Sequence, residues 1–255
     1  MLGYLFYDVK DISRNEKFIE WLIEEASKHG LNLVLHHTDD DLETLETPDF
    51  IINRSRVASI SHYYKDIKVF NSALVTEIAN DKYQTYHFFK EDFPMLETCL
   101  TSEQTTFPCI TKSRSGHGGT EVYWINTKEE LIINDDFITQ AIAPQLGKDL
   151  RVYILDNKII QGILRTHPTD FKSNYSLGGH AELYDLNEQE QKFIYKILEK
   201  LPILYGGIDF LFDEDDQLIL NEIEDAVGAR MLYNLTNIKI VEEYIACIAA
   251  KLENY

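Results

Sequence analysis

The sequence predicts a small parallel α/β lobe followed by a larger α+β body. Three observations carry that expectation: a strand–helix–strand order opens the chain, many short strand-length apolar runs crowd in after about residue 100, and two helical stretches mark the later half. Residues 3–7 read as a short buried strand. Ser13 and Glu16 then form a capping box, and Phe18, Ile19, Leu22, Ile23 and Ala26 recur at helical spacing until Gly30 stops the helix. Strands follow at 31–35 and 49–53, and the acidic stretch at 39–46 reads as a solvated connection. His36 and His37, adjacent on a strand, are expected on opposite faces and so form no metal pair.

Beyond residue 100, strands at 108–111 and 121–125 flank a glycine-rich loop with no room for a helix between them. Further strands are expected at 138–142, 151–155 and 158–164, with Asp156-Asn157 as the turn joining the last two. Residues 188–201 form an amphipathic helix with Phe193, Ile194, Ile197, Leu198 and Leu201 on one face. Strands at 207–212 and 217–224 surround an acidic turn, and a helix at 238–252 closes the fold. The division expected from this order is 1–75, 76–141 and 142–255.

The chain has 255 residues, 44% hydrophobic and 26% charged, which is a folded composition able to build a core without disulfides. Its formal charge of −19 argues against gripping nucleic-acid phosphates or anionic lipid, both of which need basic faces. An anionic small ligand stays open, because a few local cations or a metal dominate one cleft. Cys99, Cys109 and Cys247 lack any C-x-x-C spacing and read as free thiols. The opening residues lack the pattern of a secretory signal, and no run approaches the ~20 apolar residues that span a bilayer, so a cytoplasmic protein is expected.

The acidic hairpin is the most informative segment. If 214–217 form its loop, Asp209 lies opposite Glu222 with about 5 Å between Cβ atoms. Period-two alternation puts Glu224 on the same face. Three carboxylates among Ile208, Phe210, Leu211 and Leu220 repel one another in a partly dry setting, and a divalent cation removes that cost. A solvated acidic face fits the same spacing.

Lys112-Ser113-Arg114-Ser115-Gly116-His117-Gly118-Gly119-Thr120 joins two strands, without the ending of a P-loop or the setting of a dinucleotide site. Such a flap can lay backbone N–H groups over phosphates, with the Lys112 ammonium beneath it. His117 reads as a solvent-facing loop histidine, with contact to phosphate as the alternative. Arg151 opens one strand, Arg165 closes the next, Lys172 and Asn174 precede Gly178-Gly179, and Arg54 follows the third strand, where α/β crevices open.

That order resembles the ATP-grasp ligases, in particular their RimK-like branch. Asn80-Asp81-Lys82 is similar to the stretch carrying the family's first phosphate lysine, and Phe107 to Lys112 with Gly116, Gly118 and Gly119 to its second lysine and flap. Gln140, Ala141 and Ile142 resemble the hinge whose backbone meets adenine, and Gly147-Lys148-Asp149-Leu150-Arg151 the G-x-D-x-R that follows. Phe171-Lys172-Ser173-Asn174 with Gly178-Gly179 resembles the F-R-x-N and G-G signature, and Asp209, Glu222 and Glu224 fall on the magnesium ligands. The resemblance implies an ATP-grasp fold with ATP and Mg2+ as cofactors, two ions bound, and Mn2+ as an alternative. Lys82, Lys112, the flap glycines and Asp149 would serve the nucleotide. Arg151, Arg165, Lys172 and Asn174 would hold the γ-phosphate, the acyl phosphate or a substrate carboxylate.

The activity implied is ADP-forming ligation of a carboxylate to an amine on an amino acid, peptide or related metabolite, by a homodimer without nucleic-acid or membrane partners. A nucleotide-binding module without turnover, and a kinase-like relative with another acceptor, are the alternatives. Glu224 replaces the family's usual asparagine, Lys172 an arginine and Ala141 an acidic residue, while residues 225–230 replace a proline-containing turn. Arg54 and Arg230 are candidates to grip a substrate carboxylate.

Overall fold

The computed structural model describes residues 1–119, 121–173 and 178–253, and three sheets organise them. In the first, β1 (Leu2–Tyr7) lies between β2 (Asn32–His37) and β3 (Phe50–Asn53), with β4 (Lys68–Phe70) outside β3, all parallel. Alternate residues of β1 serve different cores. Leu5 and Tyr7 pack beneath α1 (Val9–Lys28) and α7 (Ile240–Glu253), whereas Tyr4 and Phe6 pack with Ile60 of α2 (Ala58–Tyr63). Burial on both faces is why these strands read as continuous apolar runs.

Helix α1 begins earlier than its sequence suggests. Asp8, at the end of β1, accepts the Lys10 N–H at 3.1 Å and caps the helix, so Ser13 and Glu16 lie inside it rather than forming a capping box. The two histidines also depart from expectation. Strand β2 ends at His37 and the chain turns back, so both rings reach Asp40, His36 Nδ1 and His37 Nδ1 each 2.7 Å from one of its oxygens.

The second sheet is antiparallel in the order β5 (Thr98–Leu100), β8 (Phe137–Gln140), β6 (Cys109–Ser113), β7 (Val122–Ile125). The third, also antiparallel, runs β11 (His180–Tyr184), β10 (Lys158–Thr166), β9 (Lys148–Leu155), β12 (Tyr205–Phe212), β13 (Leu218–Glu224). Asp156 and Asn157 turn between β9 and β10 with φ of 51° and 58°, the left-handed pair a two-residue hairpin needs. Strands β4, β5 and β11 and helices α2, α3 (Ala73–Ala79) and α4 (Lys82–Phe89) are short elements that the apolar pattern missed.

Each face of the third sheet has its own cover. Leu150, Val152, Ile154, Ile208, Phe210 and Phe212 pack against α3, α4 and α5 (Glu188–Lys200). Tyr153 and Tyr205, pointing the other way, join the core shared with α1 and α7. Arg151 and Asp209 therefore stand on the face that looks toward the first lobe, where the polar site is built. Among the described residues no helix is long and apolar enough to cross a membrane, and all three cysteines are free thiols.

Candidate functional site

The acidic hairpin pairs Asp209 with Glu222 as expected, by a different route. Phe212 pairs with Leu218, so the loop is one residue longer than four, and a β-bulge at Asn221 restores the register before Glu222. Glu224 lies opposite Gly207, two residues along on the same face. One oxygen each from Asp209, Glu222 and Glu224 lies within 4.8 Å of the others.

Two arginines stand among these carboxylates because the same face of β9 and β10 supplies them. Arg151 donates from Nε to Asp209 Oδ1 at 2.7 Å, and from Nη2 to Asp209 Oδ2 and Glu224 Oε1 at 2.6 Å each. Arg165 donates from Nη2 to Asp209 Oδ2 at 2.8 Å and from Nε to Asp149 Oδ1, which Ser173 Oγ also reaches through Oδ2. Burial alone would raise the Asp209 carboxyl, but Arg151 and Arg165 hold it down to about 2. Burial pushes Glu224 up against the pull of Arg151. It acts on Glu222 the same way, yet Lys82 and Lys112 outweigh it and Glu222 is lowered.

A hard divalent cation favours several close carboxylate oxygens. Glu222 Oε1 and Glu224 Oε2 accept no protein hydrogen bond among the described residues, and each carboxylate side chain is 22% exposed. The donor set therefore fits magnesium, with the two guanidinium groups supplying counter-charge on the Asp209 side.

The lysines meet the carboxylates from the other direction. Lys82 begins α4, whose N-cap Asp81 accepts the Tyr83 and Gln84 N–H groups. Its Nζ donates to the Gly116 carbonyl and lies 3.3 Å from Glu222 Oε2. Lys112, near the end of β6, is 6% exposed and donates to Gln140 Oε1 at 3.0 Å and Asn221 Oδ1 at 3.2 Å. Burial pushes its ammonium down to about 8. Asn221 was not legible as a site residue; only the bulge turns it toward Lys112.

Gly116, Gly118 and Gly119 form the flap, with φ of 71° and 75° at the last two. Lys172 Nζ donates to the Gly119 carbonyl at 3.2 Å, tying the flap to the body. His117 is half-buried instead of facing solvent, and burial, with the charges of Arg56 and Lys82 behind it, pushes its ring down to about 3. Asn174 lies outside the described residues.

The hinge strand stops at Gln140, short of the expected residue 142. The Ala141 N–H donates to the Glu97 carbonyl at 2.9 Å, which ends the ladder. Ala141 and Ala143 line a cavity of about 130 Å³ that also touches Lys82, Lys112, Asp149 and Glu222; Ile142 does not line it. Gly147 adopts φ 63°, and a Cβ there would sit 2.6 Å from the carbonyl oxygens of His167 and Asp170, so only glycine brings β9 this close to that loop.

A second cavity, of about 510 Å³, opens on the far side of Arg151, Arg165 and Glu224. Arg54 and Arg230 both line it, Arg54 buried and Arg230 exposed at the start of α6 (Arg230–Leu235). Arg14 and Lys17 of α1 line it too, and sequence reasoning missed them because a helix face alone does not say what it overlooks.

A sequence profile for the RimK-like ATP-grasp domain matches residues 76–248. An uncharacterized protein of Mycoplasma genitalium is 35% identical over 98% of this chain and 93% of that one. A probable alpha-L-glutamate ligase of Shewanella pealeana is 30% identical over 57% of this chain and 34% of its own length. The fold is also that of D-alanine–D-alanine ligase from Bacillus anthracis, solved with ATP, at a TM-score of 0.75 and 15% identity over 100% of this chain and 99% of that one. With its profile match, its lysines, flap and carboxylates in order along the chain, this protein belongs to the RimK-like branch of the ATP-grasp family, ATP-dependent ligases that use ATP and magnesium.

Proposed function

We propose that the protein is an ADP-forming ligase that joins a carboxylate to an amine, on an amino acid, a peptide or a related metabolite, through an acyl phosphate. One observation carries this reading: Lys82 and Lys112 converge with Glu222 and the flap on one small cavity, from separate strands and a helix start. Charged groups so gathered suit phosphoryl transfer, which needs positioning and neutralisation more than a covalent nucleophile.

Lys82 and Lys112 hold phosphate oxygens, and the flap N–H groups of Gly116, Gly118 and Gly119 close over them. Asp209, Glu222 and Glu224 would hold magnesium, which when bound would supply neutralising charge to the transferring phosphoryl group. Two ions would share these three carboxylates, with manganese as the alternative to magnesium. A substrate carboxylate oxygen attacks the γ-phosphorus and ADP leaves. The amine nitrogen then attacks the acyl carbon, phosphate leaves with the C–O electrons, and the amine gives up a proton. Arg151, Arg165, Lys172 and Asn174 hold the carboxylate and the phosphoryl oxygens, and Asp149 acts by orienting Arg165. With the Gln140 side chain on Lys112 and the Ala141 N–H on Glu97, the Ala141 carbonyl is left for adenine. Within this reading 1–75 is a substrate-side lobe, and 76–141 and 142–255 are the two halves that grasp ATP.

The test is magnesium-dependent release of ADP and phosphate from ATP across pooled amino acids and short peptides. One pool should stimulate release and give a product mass equal to two substrates less water. Tight ATP·Mg binding without stimulated release would favour a binding module, and no ATP binding would overturn the reading.

A pH dependence follows from Lys112. Its folded value of about 8 lies below the ordinary lysine range, so the nucleotide-free protein loses this ammonium as pH rises through 8. ATP affinity measured by calorimetry is expected to fall above pH 8, and Lys112→Met to flatten that fall. The stability sign is opposite. Between pH 8 and the ordinary range the unfolded chain binds more protons than the folded one, so this group makes stability rise with pH there.

A further inference from the structure

A buried acid next to the metal strand ties two distant parts of the site together. Asp225 follows the last residue of β13 and is 3% exposed. It opens the segment that stands in place of the family's proline-containing turn. A buried carboxylate needs donors, and two amides supply them. Asn71 Nδ2 donates to Asp225 Oδ1 at 2.7 Å and Asn80 Nδ2 to Oδ2 at 3.3 Å, with the charge of Arg54 within reach.

The Asn71 end is fixed to the body. Asn71 is 4% exposed, and its Nδ2 also donates to the Tyr205 carbonyl at 2.8 Å. Its Oδ1 accepts the Leu204 and Tyr205 N–H groups at 2.8 and 3.2 Å. Asp225 is thereby locked to the start of β12, the strand that carries Asp209. Arg54 Nη2 and Tyr153 Oη hold the carbonyls of Val227 and Gly228, just beyond it, at 2.9 Å each.

The Asn80 end reaches the lysine. Asn80 caps the C-terminus of α3, where its Nδ2 also donates to the Thr76 carbonyl at 2.8 Å, and α4 begins two residues later with Lys82. The flap sheet grips the same corner from the other side: Arg114 pairs with Asp81, and the Lys82 N–H donates to the Arg114 carbonyl at 3.0 Å. The Lys82 ammonium then meets Glu222, three residues before Asp225. The strand of carboxylates thus meets this corner twice, at Glu222 through the Lys82 side chain and at Asp225 through Asn80. A lysine head rides on four rotatable bonds, so it is placed only as well as the backbone that carries it.

We propose that Asn80 and Asp225 are positioning residues: their contact holds the α3–α4 corner against β13 and sets Lys82 where it grips phosphate beside Glu222. Neither residue lines the small cavity, so both act through Lys82. The inference rests on the reading of Lys82 as a phosphate lysine and adds what places it.

The experiment is a double-mutant cycle on the full chain, read as affinity for ATP·Mg by calorimetry. Lys82→Met should lose about tenfold or more. Asn80→Ala, at a half-buried position, should keep its circular dichroism and lose about tenfold. In the Lys82→Met background the same Asn80→Ala change should cost less than about twofold, because the group it places is gone. Asp225→Asn sets an amide where one of two donors needs an acceptor, and should follow the same pattern. Asn80→Ala alone decides the matter if Asp225→Asn does not fold. An unchanged affinity in Asn80→Ala would overturn the inference. So would an equal loss with and without Lys82, which would show that Asn80 acts on the fold at large. An unchanged affinity in Lys82→Met, or no ATP·Mg binding by the wild type, would overturn the phosphate role of Lys82 as well, so the two failures are told apart.

Discussion

Glu222→Gln is expected to lower magnesium-dependent ADP formation by at least about 100-fold while the protein stays folded. Glu222 faces both Lys82 and the other two acids, so in the proposed reading its charge would bear on nucleotide and metal together. Glutamine keeps the shape and a carbonyl oxygen but removes the charge a divalent cation needs. The fold should tolerate the change, because the side chain is 22% exposed and the bulge, not Glu222, sets the register. Initial rates at saturating ATP, beside a urea unfolding curve, make the comparison. An unchanged rate would remove Glu222 from the metal set.

That residue also shows what was legible in the sequence. A hairpin fixes which residues face which, so Asp209, Glu222 and Glu224 were readable from spacing, although the loop was one residue longer than expected and the bulge at Asn221 compensated. Lys82 and Lys112 were readable only in order with the flap, since a lysine has no local signature. What the sequence withheld were contacts between distant segments. Nothing near Arg54 says that Val227 will receive its hydrogen bond, and nothing near Arg14 says that α1 overlooks the loop before α6. Helix α1 was misplaced at its start because two capping signals compete there, and the one at Asp8 is adjacent to the strand end.

Arg151→Met carries the largest expected loss of stability. Arg151 spans both oxygens of Asp209 and one of Glu224, and it is 7% exposed. Methionine fills much of the volume but leaves Glu224 without a cation and Asp209 with Arg165 alone. Removing one partner of a buried ion network costs about 3–5 kcal/mol. Urea unfolding without divalent ions should show that loss, and magnesium should restore part of it by taking the place of the missing charge. A loss below about 1 kcal/mol would show that the network contributes little to the fold.

The core shared by the first sheet and the closing helix has a consequence for how the chain is made. Leu5, Tyr7 and Leu22 pack with Ile245, Ile248 and Leu252, residues from opposite ends of the sequence. On the ribosome, β1 and α1 emerge long before α7 does, and at about 5–20 residues per second the interval is on the order of tens of seconds. Throughout that time the inner side of the first lobe has no lid and presents Leu22 and its neighbours to water. The final burial of the nascent lobe therefore awaits the synthesis of α7.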